Sequence, residues 1–347
     1  MAQTPVLDVT GGGAAPREAP PPAELPRRPL WRSLLERREA AILIVAVALF
    51  VYFSIASANF FSVSDIQNLS QFVGPIAVIG AGEVLLLVCA EVDLSAGTVF
   101  IFIPFVVNYL AGAGLPLIVA ILLSLVVAGL IGVINGVITT WLNIPSFVTT
   151  LGTLFALDGV MLTTSNAQQL TMPGQSSAIG KVLGIYVWSE ILWSLAIVAV
   201  MYVVLNRSRF GMHVTATGGN LTGAAEAGIP VNRVKIWAFV VCSVLSAFIG
   251  IIDAMRINVL DPGTDGTQEM FYAIAAAVIG GTALTGGRGT VIGALVGAIV
   301  LGVLYVGLTI IGISANTFIL ILGAAILLAM IANVQLAKLT VQRKAPT

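Results

Sequence analysis

Charge is the scarcest feature of this sequence. Asp, Glu, Lys and Arg make up 9% of its 347 residues, while 58% are hydrophobic; ordinary soluble domains carry roughly 25% charged residues. So few ionic side chains cannot cover a water-facing globular surface, which excludes a soluble domain. Histidine occurs once, as His213, without companions at metal-ligand spacing, so no metal site is expected. The two cysteines, Cys89 and Cys242, both fall in hydrophobic runs, which excludes a disulfide framework and leaves the redox compartment unread. No G-x-x-x-x-G-K-[ST] phosphate loop occurs. Thr285-Gly286-Gly287-Arg288-Gly289-Thr290 has the glycines without the lysine and reads as a Gly-rich turn. No Ser/His/Asp or Cys/His constellation is visible either. The chain therefore reads as a non-enzyme that binds no cofactor itself.

What it has in abundance is apolar runs of about 20 residues, the length that crosses a bilayer at 1.5 Å rise per residue. Ten occur, near 40–57, 71–90, 96–112, 116–140, 147–164, 188–205, 233–255, 269–285, 290–312 and 316–334. The expected fold class is an all-α polytopic membrane protein with about ten transmembrane helices and both termini cytoplasmic. Orientation follows from the 16 basic residues, of which only Lys181 and Arg256 fall outside in this topology; the inverted arrangement would oppose the positive-inside rule. Residues 1–39, rich in Pro, Ala and Gly without apolar period, are expected to form a disordered cytosolic tail. Residues 40–336 form the membrane domain and 337–347 a basic cytosolic tail. The run from Ala40 into Ala56-Ser57-Ala58 imitates a signal peptide, but a 39-residue leading region is too long for one. It reads as an uncleaved first span.

Ionisable groups at membrane depth cost about 2.5 to 3.5 kcal/mol each on insertion scales, so they are paired, wet or functional. Glu83 lies inside the second run and should face the bundle interior. Glu91, Asp93 and Ser95 mark the break before the third run, where they either cap the next helix or line a passage. Ser146, Thr149, Thr150 and Thr153 open the fifth run after Pro145. Such hydroxyls either satisfy backbone groups freed at a helix break or hydrogen-bond a polyol in transit. Glu83, Glu91, Asp93, Ser95, Asn135, Thr149 and Thr150 are the resulting pathway candidates. Asp158 and Asp253 lie near span ends and are expected to reach the interface. Arg256 and Glu269 flank the loop 257–268 and are expected to pair, shaping a dock for an outer partner. Gly132 and Gly136, and Gly289, Gly293 and Gly297, recur every four residues, a helix-packing signal.

One polar island interrupts the grease. From Asn206 to Lys235 it begins with Arg207 and Arg209 and ends with Arg233 and Lys235, so it belongs in the cytoplasm. Within it Asn220 should cap a short helix through Ala224 and Ala225, which Gly228-Ile229-Pro230 should stop. Such a helix is a surface offered to a partner.

Taken in order, the blocks resemble permease subunits of bacterial ABC sugar importers, the ribose, xylose and galactose type. They are Asn59-Phe60 with Asn68-Leu69, then Glu91-Val92-Asp93-Leu94-Ser95-Ala96-Gly97, Gly132-Val133-Ile134-Asn135-Gly136, Ile144-Pro145-Ser146-Phe147 and Thr150-Leu151-Gly152. The island follows with Gly218-Gly219-Asn220, Ala224-Ala225 and Gly228-Ile229, and the series closes with Ile274 to Thr282 and Gly286-Gly287-Arg288-Gly289-Thr290. Cys89-Ala90 before Glu91 and an acidic Glu226 depart from the family's habit. The resemblance implies a bacterial plasma-membrane subunit that pairs with a second permease copy, identical or related. It implies two ATP-binding subunits, holding ATP and Mg2+, that dock on Gly218, Gly219, Asn220, Ala224, Ala225, Glu226 and Gly228. It further implies an extracytoplasmic binding protein that delivers a monosaccharide, and no nucleic-acid partner. Relatives for nucleosides, inositol, an autoinducer or branched-chain amino acids look alike, so the cargo stays open. An ion-coupled secondary transporter, with Glu83, Glu91 and Asp93 as coupling acids, and a non-transporting scaffold or receptor are the other classes.

Overall fold

The computed structural model describes residues 38–57, 60, 62–314 and 317–327. The expected N-terminal tail up to residue 37, Asn59, the end of the tenth run and the C-terminal tail lie outside these residues. The chain runs through α1 (Arg38–Ala56), α2 (Val63–Val88), α3 (Ala96–Gly112), α4 (Leu117–Trp141), α5 (Ser146–Ser165) and α6 (Ser189–Arg207). It continues with α7 (Arg209–Gly219), α8 (Leu221–Glu226), α9 (Val231–Ile257), α10 (Gly266–Ile279) and α11 (Val291–Ile310), and a last helix, α12 (Thr317–Leu327). Six of these, α2, α4, α5, α6, α9 and α11, are long and apolar enough to cross a membrane. The protein is a multi-pass, all-helical membrane protein.

A helix apolar on every side belongs in the middle, and α2 is that helix: every residue from Val73 to Val88 is buried. Around it stand α9, α10, α11 and α6. On the flank, α4 turns Leu122, Val126, Leu130 and Ile134 outward at four-residue spacing, all of them exposed. Both small-residue stripes sit at close crossings. A Cβ on Gly132 would stand 2.6 Å from the Val240 Cα, and one on Gly136 2.7 Å from the Ile236 Cα, both on α9. Gly293 and Gly297 of α11 likewise lie against the Gly280 and Ala276 carbonyls of the α10 segment. Lipid gives no hydrophobic drive for helices to associate, so such backbone approach is what joins them.

Two boundaries differ from the sequence reading. The second run, expected from 71, becomes a helix from Val63 because Ser62 caps it, accepting from the Asp65 amide at 3.2 Å. The eighth, expected to reach 285, ends at Ile279, where Gly281 takes φ +91°. With 14 residues, α10 is about 21 Å long, short of the roughly 30 Å hydrocarbon core. Its first residue abuts the start of α3: a Cβ on Gly97 would lie 1.8 Å from the Gly266 carbonyl oxygen. Two helix N-termini therefore meet inside the bundle.

Candidate functional site

Three features hold the chemistry: a buried chain break, a capped helix at the end bearing Arg207, Arg209, Arg233 and Lys235, and a polar cavity toward the opposite end.

The break starts where Ala90 adopts the left-handed conformation, φ +60°. From Glu91 to Asp93 the chain has no regular structure, and a turn at Leu94-Ser95 leads it into α3. Non-helical backbone inside a membrane protein needs partners for its amides. The hydroxyls of Ser146 and Thr150 supply them, accepting from the Val92 amide at 3.3 Å and the Leu94 amide at 3.0 Å. The hydroxyl ladder of α5 thus serves the broken backbone. Asp93 closes the other side, accepting from the Ser95 amide at 2.9 Å and the Ser95 hydroxyl at 2.5 Å. Asn135 joins them, donating to Ser95 Oγ at 2.9 Å while its Oδ1 accepts from Thr153 at 2.6 Å. Glu83 lies beside them, with the Asp93 amide 3.5 Å from Oε2 and the Cys242 thiol 3.6 Å from Oε1. Glu83, Asp93, Ser95, Asn135 and Thr150 are all fully buried, and Thr149 nearly so. The structure brings Glu83, Asp93, Ser95, Asn135 and Thr150 together, while the Thr149 hydroxyl has no partner among the described residues and Glu91 pairs with Lys235 at 2.5 Å. Lys235 sits nearly two helical turns of α9 below Cys242, so Glu91 and Asp93 meet α9 at different heights.

At the basic end, Asn220 Oδ1 accepts from the Gly223 amide at 2.9 Å and so caps α8. The far end closes with the Gly228 amide on the Ala225 carbonyl and the Ile229 amide on the Ala224 carbonyl, each at 3.0 Å. Gly228 takes φ +82°, completing a Schellman stop. Ala224 turns inward, while Ala225 and Glu226 are exposed. Gly218 presses on the break itself: a Cβ there would stand 1.6 Å from the Val88 carbonyl oxygen, which accepts from the Gly287 amide at 2.8 Å. Gly286 and Gly287 hold φ +86° and +74°, a conformation that favours glycine. The end of α7 therefore stands directly on the end of α2, and the capped helix α8 follows it through Asn220.

Toward the opposite end, α2, α9, α10 and α11 enclose a cavity of about 580 Å³, within the usual range for small-molecule sites. Arg256 is its one cation. It pairs with Glu190 at 2.8 Å and with Asp253, and donates to Gln71 Oε1 at 3.2 Å. The expected Arg256–Glu269 pair is thus replaced by one with Glu190 and Asp253, because Asp253 lies one turn back on α9 and Glu190 reaches across from α6. Asp253 is correspondingly tied inside the protein and does not simply reach the interface. Glu269 lines the same cavity without an ion partner among the described residues. Glu190, fully buried, and Gln71 were missed from sequence. Their signals were an acid at the start of the sixth run and a polar face at 65, 68 and 71 leading into the second.

The family described as "Branched-chain amino acid transport system / permease component" matches residues 66–330. The chain belongs to this permease family. The permease is 35% identical over 306 residues to the xylose/arabinose import permease protein XylH of Sulfolobus acidocaldarius, covering 86% of this chain and 85% of the relative. It is 30% identical to the ribose import permease protein RbsC of Escherichia coli, covering 86% and 94%. The autoinducer 2 import system permease protein LsrC of Photorhabdus luminescens is 33% identical, covering 84% and 88%. No solved structure matches. The resemblance to ABC sugar importers read from the sequence blocks is borne out at the level of the family. The buried break and the capped helix fall wholly within the matched segment of the permease, and of the cavity's lining only Asp65 lies outside it.

Proposed function

We propose that this permease is the membrane subunit of an ATP-driven importer that passes a monosaccharide from an extracytoplasmic binding protein into a bacterial cytoplasm. It works as a pair of permease subunits with two separate ATPase subunits, which hold ATP and Mg2+. Ten spans and cytoplasmic termini complete the reading, with α1, α3, α10 and α12 as the four shorter crossings. The observation that carries it is α8: a six-residue helix capped at both ends, with small residues outward, flanked by basic residues and joined through Asn220 to the end of α7, which rests on the end of α2. Its footing supports a coupling role for Gly218, Gly219, Asn220, Ala224, Ala225, Glu226 and Gly228. Movement of α8 would pass through Gly218 to Val88 and through Lys235 to Glu91. The break would carry it onward to α3 and, across Gly97, to α10 and the cavity. ATP binding and hydrolysis then bias two packings of these helices. Asp93, Ser95, Asn135 and Thr150 serve this reading as the joint of the moving break; none of them lines the cavity.

Topology tests the arrangement first. A single cysteine at Thr222 should be labelled only from the cytosolic side, and one at Asp265 only from outside; labelling of both from one side removes the ten-span reading. Energy coupling tests the machine. The purified permease should hydrolyse no ATP, and uptake should require the added ATPase. Ion-gradient-driven uptake by vesicles holding this chain alone would instead make Glu83 and Asp93 coupling acids of a secondary transporter.

A further inference from the structure

Resting on the importer reading, we propose that the cavity between α2, α9, α10 and α11 is the permease's own solute site. It takes an uncharged polyhydroxylated solute and refuses anions.

The first argument is charge. Asp65, Asp253, Asp265 and Glu269 line the cavity against one guanidinium, a net formal charge of −3, and Glu190 stands behind it. An anion recognised by a protein needs an unspent cation or a free guanidinium fork. The charge of Arg256 is already matched by two carboxylates, Glu190 2.8 Å from its Nε and Asp253 at its Nη2, while its Nη1 donates to Gln71. No lysine or histidine lines the walls.

The second argument is the pattern of unspent hydrogen-bonding groups. Gln71 uses its carbonyl oxygen on Arg256 and keeps its amide NH2 donors free among the described residues. Asn68, one turn earlier, has its whole amide unspent among the described residues. Glu269 presents acceptors from α10. Donors from α2 thus share one cavity with acceptors from α10, a combination suited to hydroxyls, which both donate and accept. Phe72 and Tyr305, stacked with centroids 4.5 Å apart, and Phe100 add aromatic surface. A sugar ring offers C–H faces to such surface and hydroxyls around its edge.

The test uses the full-length permease in lipid nanodiscs with Thr309→Cys at the cavity mouth. The native Cys89 and Cys242 are buried, and the unsubstituted chain sets the background. A cationic trimethylammonium thiosulfonate should label this cysteine roughly tenfold faster than the anionic sulfonate analogue, since a cleft of one sign concentrates its counter-ion. Equal rates, or a faster anion, overturn the refusal of anions. Millimolar D-ribose, D-xylose or D-galactose should slow labelling several-fold, and D-ribose 5-phosphate should not. Gln71→Ala should abolish the protection while leaving the cation preference. No protection by any of the three sugars, or equal protection by the phosphate, overturns the site. ATP-driven uptake of the same sugars by the assembled importer separates the two readings. Uptake without protection removes the cavity site and leaves the importer, whereas protection without ATP-dependent uptake does the reverse.

Discussion

Ala225→Arg is expected to abolish ATP-driven uptake and to release the ATPase on purification, while the permease still folds and inserts. The difference follows from where Ala225 stands. Ala224 turns inward, so α8 is anchored by one small side chain and offers Ala225 to the outside. A surface substitution there costs the fold only within about 0.5 kcal/mol. A partner groove shaped to an alanine meets instead a long charged side chain, which wedges the surfaces apart. Glu226→Ala should be milder, because a rim charge governs association rate more than the packed contact. Asn220→Ala removes the cap and should fall between them, loosening the helix by about 1 kcal/mol without adding bulk. Uptake assays in the assembled importer, with ATPase co-purification and membrane insertion measured together, decide it. Normal uptake and normal co-purification in Ala225→Arg would show that α8 is merely a well-capped loop.

The parts of this site that were legible from sequence are those whose physics is local. The Asn220 cap, the Gly228 stop and the packing glycines Gly132, Gly136, Gly293 and Gly297 depend on residues a few positions apart and stand where their spacing placed them, whereas Gly289 falls before α11 and lies against Val88 and Thr282. Contacts between distant segments were not legible. Arg256 was matched with Glu269 because they flank one loop, yet Glu190, some 66 residues away, takes it. Glu91 and Asp93 were grouped because they are neighbours in sequence. Off the helix the two no longer share surroundings: Glu91 pairs with Lys235, while the Asp93 amide meets Glu83, which also faces Cys242. The hydroxyls opening α5 admitted two readings, and periodicity could not choose. The registry of Ser146 and Thr150 with alternate amides of the break gives those two a backbone task, while the Thr149 hydroxyl has no partner among the described residues.

A large loss of stability is expected at Gly97, where the starts of α3 and α10 meet backbone to backbone. A Cβ on Gly97 would lie 1.8 Å from the Gly266 carbonyl oxygen, and one on Gly266 would lie 2.3 Å from the Gly97 oxygen. Neither obstacle is a side chain that can swing away, so Gly97→Ala must part the two helix starts. Overpacking of this kind costs about 1 to 3 kcal/mol and occasionally more, and a backbone obstacle places it at the upper end. Gly159, inside α5 with nothing within 4 Å of its missing Cβ, is the control. There alanine should be neutral or should stabilise, since glycine in a helix interior costs roughly 0.5 to 1 kcal/mol relative to alanine. Thermal unfolding in detergent should therefore move in opposite directions, or not at all for Gly159→Ala, and uptake should fail only for Gly97→Ala. Because both clashes arise at one crossing, Gly97→Ala with Gly266→Ala should cost less than the two single changes added together. Once the helices have parted for one methyl group, the second finds the space already open. A Gly97→Ala permease with unchanged unfolding temperature and full uptake would mean that the two helix starts do not meet in the working protein.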